Sequence, residues 1–256
     1  MRKVLILSAL TLASAASAGT LRVGASPVPH AEILNFVKPI LAKQGVTLQI
    51  KEFSDYVQPN LALADGSIDV NFFQHVPYLN TFQKDRPLGI VAGAKIHVEP
   101  MGVYSKRVKS LKSLKNGATI AIPNDPSNSG RALKLLERAG LIRLKPSAGI
   151  SATVLDITTN LKRLKFRELE AAQLPRSLQD VDVAVINTNY ALDAGLNPLK
   201  DALLIEDRNS PYANVLAAKP ATLKNADYRK LVKALQSPET KAFILKKYNG
   251  AVVPAF

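Results

Sequence analysis

The sequence predicts an α/β protein made of two wound lobes, each a sheet with helices, joined by two crossing segments. Strand-like and helix-like segments alternate along the chain, and the alternation starts again near Gly102. Two extended segments that carry turn formers beside apolar residues, 98–105 and 209–215, separate the halves. If both segments cross between lobes, the middle of the chain is an inserted lobe, a topology suited to hinge closure on a ligand.

The domain boundaries follow from these crossings. We predict a signal peptide at 1–18, a first lobe formed by 19–101 together with 215–256, and an inserted second lobe at 102–214.

The first lobe begins with a strand at 21–25. A helix at 30–44 follows, because Ile33, Leu34, Val37, Ile40 and Leu41 recur at helical spacing. The later elements predicted in this lobe are a strand at 47–53, a short helix at 60–64, a strand at 68–73, a helix at 78–84 and a strand at 90–96.

The second lobe contains a predicted strand at 118–123 and a helix at 128–139, with Ser127 as N-cap and Gly140 as C-cap. The near-continuous apolar run at 181–186 indicates a strand buried on both faces. The C-terminal tail is predicted to form two helices, 225–235 and 238–248.

The first 18 residues are typical of an export signal. Arg2 and Lys3 precede an apolar stretch, and Ala16-Ser17-Ala18 fits a small-x-small cleavage site. The chain contains no cysteine, so neither disulfides nor a lipidated cysteine is expected. These observations predict a protein that is exported and diffuses freely in the periplasm or an equivalent space.

The formal net charge is +14, which raises nucleic acid and anionic membrane as partners. The basic residues are dispersed and lack interleaved aromatic residues, a pattern that favours a solvated basic face over a nucleic-acid groove. We therefore expect no nucleic-acid partner and at most a weak attraction to anionic membrane.

Catalytic and metal motifs are missing from the sequence. His30, His75 and His97 are the only histidines, and neither a Gly-x-Ser-x-Gly elbow nor a His-x-x-x-His spacing occurs. We expect no enzyme activity, no metal and no cofactor.

Three polar or aromatic clusters follow predicted strands, where wound sheets bind ligands. Phe73, His75 and Tyr78 form the first. They line a site, or one of the phenylalanines at 72 and 73 belongs to the core and His75 is a hydrogen-bonded buried histidine. Spacing alone leaves both readings open.

The second cluster centres on Arg131, which the predicted helix places in its first turn, where the helix dipole disfavours a cation. Arg131 binds a ligand carboxylate, or it forms an ion pair with Asp125 or an acidic residue of the other lobe. The third cluster is Asn187-Thr188-Asn189 together with Asn214. Asparagine amides suit both ends of an α-amino acid, and each residue is also typical of a turn.

Seven segments of the chain carry a resemblance to a known family. They are GASPVPHAEIL (24–34), DYV (55–57), FFQHVPYL (72–79), IPNDPSN (122–128), GRAL (130–133), AVINTNYA (184–191) and SPYAN (210–214). With these motifs the chain resembles the substrate-binding proteins of methionine ABC importers, the NlpA lipoprotein family, over nearly its whole length. A departure from the family pattern is Ala18-Gly19, which stands where a lipidated cysteine is expected.

The resemblance implies a type II periplasmic-binding-protein fold, a monomer with methionine between its lobes, and an ABC importer's membrane and ATPase subunits as partners. It implies that Tyr56, Phe73, His75 and Tyr78 surround the thioether. Arg131 would bind the ligand carboxylate beside Asn128, and Asn189 and Asn214 would hold the amino and carboxylate ends. The sequence leaves open whether the ligand is L- or D-methionine. A methionine-containing dipeptide is an alternative ligand, and a basic surface-interaction protein is an alternative class of function.

Overall fold

The computed structural model describes residues 19–256. The predicted signal peptide, 1–18, lies outside the described residues. Within 19–256, no helix has the length and apolar character needed to cross a membrane.

Thirteen strands are present in the described part of the chain. They are β1 (Gly19–Ala25), β2 (Val46–Glu52), β3 (Val70–His75), β4 (Val91–Val98), β5 (Gly102–Tyr104), β6 (Thr119–Pro123), β7 (Arg143–Leu144), β8 (Ile157–Thr159), β9 (Lys165–Leu169), β10 (Val183–Ile186), β11 (Leu204–Ile205), β12 (Ala213–Ala218) and β13 (Val253–Pro254).

Ten α-helices accompany the strands of residues 19–256. They are α1 (Glu32–Ala42), α2 (Gln58–Ala64), α3 (Val76–Phe82), α4 (Pro126–Arg138), α5 (Leu174–Ser177), α6 (Thr188–Asp193), α7 (Pro198–Asp201), α8 (Pro220–Leu223), α9 (Ala226–Leu235) and α10 (Pro238–Tyr248). A π-helical turn, Pro27–Ala31, precedes α1.

Two principal sheets define two lobes. The large lobe is built on six strands in the order β13-β4-β12-β3-β1-β2, and the small lobe on five in the order β11-β5-β10-β6-β9. In the large lobe β1 pairs in parallel with β2 and β3, while β12 runs antiparallel between β3 and β4. In the small lobe β6 pairs in parallel with β9 and β10.

The chain passes between the lobes twice. Residues 99–101 connect β4 with β5, and residues 206–212 connect β11 with β12. The prediction of two wound α/β lobes joined by two crossing segments is therefore confirmed. The lobe boundaries at 101 and 214 stay a prediction, although Ala213 and Asn214 already belong to β12 of the large sheet.

The large lobe has a core that joins both ends of the chain. Ile33, Leu34 and Val37 of α1 are fully buried on one helix face, as their helical spacing predicts. Leu231 of α9 and Ile244 of α10 pack in the same cluster. The C-terminal helices therefore complete the lobe that the N-terminal strands begin.

The small lobe packs helices on both faces of its sheet. Ile120 and Ile122 of β6 contact one cluster, which includes Leu133 of α4, whereas Ala121 faces the cluster around Leu174 of α5. Alternate residues of one strand thus supply two cores, as the period of a strand requires.

Helix α4 begins earlier than predicted, and Ser127 is not its N-cap. The Asp125 side chain accepts a hydrogen bond from the Asn128 backbone N–H at 2.9 Å, so Asp125 is the N-cap. Pro126 occupies the first helical position, where its missing N–H costs nothing. The helix ends at Arg138, and Gly140 follows with φ of 72°. Arg131 consequently lies in the second turn and not in the first.

Gly130 of α4 provides a test of packing in the small lobe. A Cβ at this position would lie 2.2 Å from the Ile150 backbone oxygen and 2.7 Å from the Ala152 nitrogen. We expect Gly130→Ala to lower the free energy of unfolding by about 1–3 kcal/mol, because backbone atoms must shift. Urea unfolding measures this loss. Gly149→Ala is the control, since a Cβ there meets nothing within 4 Å, and an equal effect of both changes would contradict the packing argument.

Candidate ligand-binding site

A cavity lies between the two lobes, where the sheets end and the crossings meet. All eight residues predicted for a ligand site line it. The lining residues are Tyr56, Phe73, Gln74, His75, Tyr78, Glu99, Asn128, Arg131, Asn187, Thr188, Asn189 and Asn214. The structure therefore brings the predicted residues together, while their individual roles stay predictions.

The large lobe contributes an aromatic wall. Phe73 of β3 and Tyr78 of α3 have ring centroids 5.8 Å apart, and each lies within 6 Å of the Tyr56 ring. The Tyr78 hydroxyl donates a 2.8 Å hydrogen bond to the Tyr56 carbonyl oxygen and so holds the two elements together. The neighbouring Phe72 packs in the core of the large lobe. Alternation along β3 thus sends one phenylalanine to the core and one to the cavity.

His75 joins the lobes at the edge of this wall. Its Nδ1 accepts the Tyr78 backbone N–H at 3.1 Å, which caps α3, and its Nε2 lies 3.2 Å from Asn128 Oδ1 in the small lobe. Burial, and then the charge of Arg131, lowers the pKa of His75 to about 3. His75 is therefore neutral near pH 7, with the proton on Nε2 donated to Asn128.

Asn128 uses its whole amide inside the protein. Its Nδ2 donates to both carboxylate oxygens of Asp125, at 3.0 and 2.9 Å, and its Oδ1 also accepts from Asn187 Nδ2 at 3.0 Å. The contacts of Asn128 are those of a residue that orients His75 and Asn187.

Arg131 is buried in the cavity wall and already has an anionic partner. Its Nε lies 3.0 Å from Glu206 Oε1, its Nη2 also pairs with Glu206, and Nη2 donates to the Glu99 carbonyl oxygen at 2.8 Å. The guanidinium stacks over the Tyr212 ring at 4.2 Å. Among the hydrogen bonds of residues 19–256, none uses Nη1, so one nitrogen of the fork is available to a ligand.

The remaining predicted amides come from two elements. Asn189 lies in the first turn of α6, and its Oδ1 accepts a 2.6 Å hydrogen bond from the Tyr56 hydroxyl across the cleft. Asn214 was expected on the second crossing, but it lies in β12 and donates through Nδ2 to Glu99 Oε1 at 3.3 Å. It belongs to the sheet because its backbone pairs with His75 of β3 and with His97 of β4.

Glu99 is the principal cavity residue that is absent from the eight predicted from the sequence. It lies on the first crossing, is 5% exposed and lines the cavity. Its Oε1 lies 2.7 Å from His97 Nε2 and 3.2 Å from His30 Nε2. Both imidazole contacts fall on Oε1. A glutamate in the predicted crossing segment was a signal that could have suggested this residue.

The charge state of this group follows from its burial. Burial lowers the pKa of His30 to about 4 and that of His97 to about 3, so both rings are neutral near pH 7. Burial raises the pKa of Glu99, against the opposing effects of His30, Arg131 and the Asn189 backbone N–H. Burial therefore penalises the charged form of Glu99, and a cation beside the carboxylate would reduce that penalty.

His30, His97 and Glu99 hold metal-ligating atoms within 4.8 Å of one another. However, the Nδ1 atoms of both histidines are buried without a hydrogen-bond partner. Histidines that bind metal ordinarily donate this second ring nitrogen to a neighbouring acceptor. The arrangement is better described as two imidazole N–H groups that orient one carboxylate.

Comparison with known proteins identifies the family of this chain. The family model of the NlpA lipoproteins matches residues 21–256. The chain belongs to the NlpA lipoprotein family.

Similar proteins of this family include curated and solved examples. "D-methionine-binding lipoprotein MetQ" of Salmonella typhimurium is 47% identical over 213 residues, covering 82% of this chain and 79% of the relative. A nutrient-binding protein from Burkholderia cenocepacia, solved bound to methionine, is 50% identical with a TM-score of 0.90, covering 92% of this chain and 100% of that chain. An ABC transporter periplasmic substrate-binding protein from Coxiella burnetii is 49% identical with a TM-score of 0.88, covering 92% and 100%.

These similarities decide two of the predictions. The periplasmic-binding-protein fold is confirmed, since the structural neighbours are substrate-binding proteins of that class. The prediction of a freely diffusing protein without a lipid anchor is wrong. The matched family and the Salmonella relative are both described as lipoproteins, which covalent lipid holds at a membrane. The prediction rested on the cysteine count of one sequence, and that count does not set the location of a family.

The buried histidines predict how stability depends on pH. The pKa of His75 is lowered to about 3 in the folded protein, whereas an unfolded histidine has a pKa near 6.5. Below about pH 6.5 the histidine of the unfolded chain takes up a proton that folded His75 does not. The contribution of His75 to the free energy of unfolding is therefore fully present above that pH and is lost as the pH falls. His75→Gln should reduce this loss by ~1.4 kcal/mol per pH unit between pH 6 and 5.

Urea unfolding of both proteins from pH 7 to pH 5 measures the difference. The opposite contribution of Glu99, whose pKa is raised, is common to both proteins and cancels. Parallel stability curves for wild type and His75→Gln would show that His75 is not buried in its neutral form.

Proposed function

We propose that this protein binds free methionine between its lobes and delivers it to an ABC importer. The observation that carries the proposal is a single cavity in which the Glu99 carboxylate and the Arg131 guanidinium face an aromatic wall. A zwitterion with an apolar side chain matches these three features. The methionine-bound Burkholderia structure and the Salmonella relative named for D-methionine support this choice of ligand.

The ammonium group is assigned to Glu99 and Asn187. His30, His97 and Asn214 contact Glu99 through Oε1 and not through Oε2. Asn187 Oδ1 is a buried acceptor without a partner in the described residues. An α-ammonium has three N–H donors and a positive charge. The ammonium therefore donates the hydrogen bond that Asn187 Oδ1 lacks, and it places a positive charge beside the Glu99 carboxylate.

The carboxylate is assigned to Arg131 and Asn189. Nη1 of Arg131 and Nδ2 of Asn189 are donors in the cavity lining that the hydrogen bonds of the described chain leave unused. Glu206 balances part of the Arg131 charge, so the guanidinium is already fixed in place when the ligand arrives. A fixed donor loses little conformational freedom on binding.

The thioether is assigned to the wall formed by Tyr56, Phe73 and Tyr78. Sulfur is polarizable and makes favourable contacts with aromatic rings. His75 is adjacent, with its ring centroid 6.4 Å from that of Tyr78, and its neutral form adds no charge to this side of the cavity. The wall therefore favours an uncharged side chain over lysine or glutamate.

Binding is coupled to closure because the ligand would contact both lobes. Phe73 and Tyr78 belong to the large lobe, whereas Arg131 and Asn189 belong to the small lobe. A ligand shifts the open–closed equilibrium by its difference in affinity for the two states. We propose that the closed form is what the importer recognises, and that the protein acts by binding without catalysis.

Calorimetry with methionine tests the proposed ligand. We expect binding of L- or D-methionine and none of lysine or glutamate, because their charged side chains would be buried against the aromatic wall. 4-(Methylthio)butanoate, which lacks the ammonium, should bind more weakly by about 2–5 kcal/mol, since Glu99 would stay unpaired. Equal affinity for methionine and this analogue would contradict the assignment of Glu99.

The Glu99→Gln variant tests the same contact from the side of the protein. The amide keeps the shape of the carboxylate and removes its charge, so methionine affinity should fall by about 2–5 kcal/mol. Glu170→Gln is the matched control, because Glu170 is exposed and lines a different cavity from the ligand site. Titration calorimetry of the two variants at pH 7 gives the comparison. Unchanged affinity in Glu99→Gln would remove Glu99 from the site.

A further inference from the structure

Helix α6 belongs to the small lobe and also packs on the large lobe. Leu192 packs against the core of the large lobe, and the helix contacts the π-helical turn Pro27–Ala31 of that lobe. The same short helix carries Asn189, which lines the ligand cavity. Movement of α6 away from the large lobe would therefore accompany opening of the cleft.

Two tyrosines, one from each lobe, donate hydrogen bonds across the cleft at this helix. Tyr56 of the large lobe donates to Asn189 Oδ1 at 2.6 Å, and Tyr190 of the small lobe donates to the Ser54 carbonyl oxygen at 3.1 Å. Their ring centroids are 4.9 Å apart. Each lobe thus supplies one hydroxyl and one acceptor, so both bonds require the lobes to be close.

Tyr190 lies outside the ligand cavity. It lines a second cavity, together with Asp55, Asp125 and two residues that also line the ligand cavity, Tyr56 and Tyr78. Its side chain is 8% exposed, and its ring packs in a cluster with Ile186 and Leu174 of its own lobe. Tyr190 therefore lies next to the ligand cavity but is not among the residues that line it.

We propose that Tyr190 is a positioning residue that holds the lobes closed and thereby sets how long the ligand stays bound. The inference rests on the proposed function, because it assumes a ligand that leaves only when the cleft opens. Its basis is separate, since it uses the Tyr190–Ser54 bond and not a ligand contact.

The kinetic consequence follows from where this bond is made. It is present in the closed form, and Ser54 is exposed, so water can satisfy the Ser54 carbonyl after opening. Removing the hydroxyl weakens the closed form by the net value of one hydrogen bond and leaves the open form unchanged. The effect should therefore appear in the dissociation rate and not in the association rate.

The test uses Tyr190→Phe, which keeps the packed ring and removes the hydroxyl. Stopped-flow displacement of bound methionine should show dissociation faster by roughly two- to tenfold, as expected for loss of one hydrogen bond. The association rate should match the wild type. Circular dichroism and melting of the unliganded variant establish that it is folded.

Tyr104→Phe is the matched control. Tyr104 lies in the same cluster of the small lobe as Tyr190, and its hydroxyl is buried without a hydrogen-bond partner. Its removal should leave the dissociation rate unchanged. A folded Tyr190→Phe protein that releases methionine at the wild-type rate, or that changes the association rate alone, would overturn the proposal. Failure of the wild type to bind methionine would instead overturn the proposed function.

Discussion

The structure depends on burying opposite charges in one cleft between two lobes. Glu99 and Arg131 are both nearly inaccessible to solvent, and a buried charge without partners is strongly unfavourable. Each is therefore surrounded by groups that fix it. Two neutral imidazoles and an asparagine amide converge on one oxygen of Glu99, and Glu206 and the Glu99 carbonyl hold Arg131. Both Glu99 and Arg131 also line the cavity.

Glu99, Arg131 and their partners lie on three kinds of element, namely strands, a helix and the two crossings. His97 and Asn214 come from adjacent strands of the large sheet, and Arg131 comes from a helix of the small lobe. Glu99 lies on the first crossing and Glu206 begins the second. The residues that carry charge therefore lie where the lobes join, whereas the aromatic residues lie farther out on the large lobe.

Membership of the NlpA lipoprotein family and the geometry of the cavity support the same type of protein by different routes. Family membership rests on the whole chain, while the cavity depends on a few side chains. The buried acceptor of Asn187 is informative because a protein interior rarely leaves such an atom without a donor. A ligand ammonium is a simple physical reason for it. The lipoprotein character of the family also shows that the cysteine count was a poor guide to location.

The sequence by itself determined the elements that depend on local spacing and capping. Helix α10 occupies residues 238–248 as predicted, because Ser237 caps it and Pro238 starts it. The eight site residues predicted from the family motifs all line the cavity. The N-cap of α4 was missed by two residues, since both Asp125 and Ser127 are good caps and only the backbone shows which one accepts the Asn128 N–H.

Only the tertiary structure decided which polar groups meet. Arg131 and Glu206 are 75 residues apart in the chain, and His30 and Asn214 are 184 apart. Local periodicity carries no information about such pairs, because they form when sheet order and the two crossings bring distant segments together. The contacts of Glu99 and the hydrogen bonds of Tyr56 and Tyr190 across the cleft could therefore be identified only from the tertiary structure.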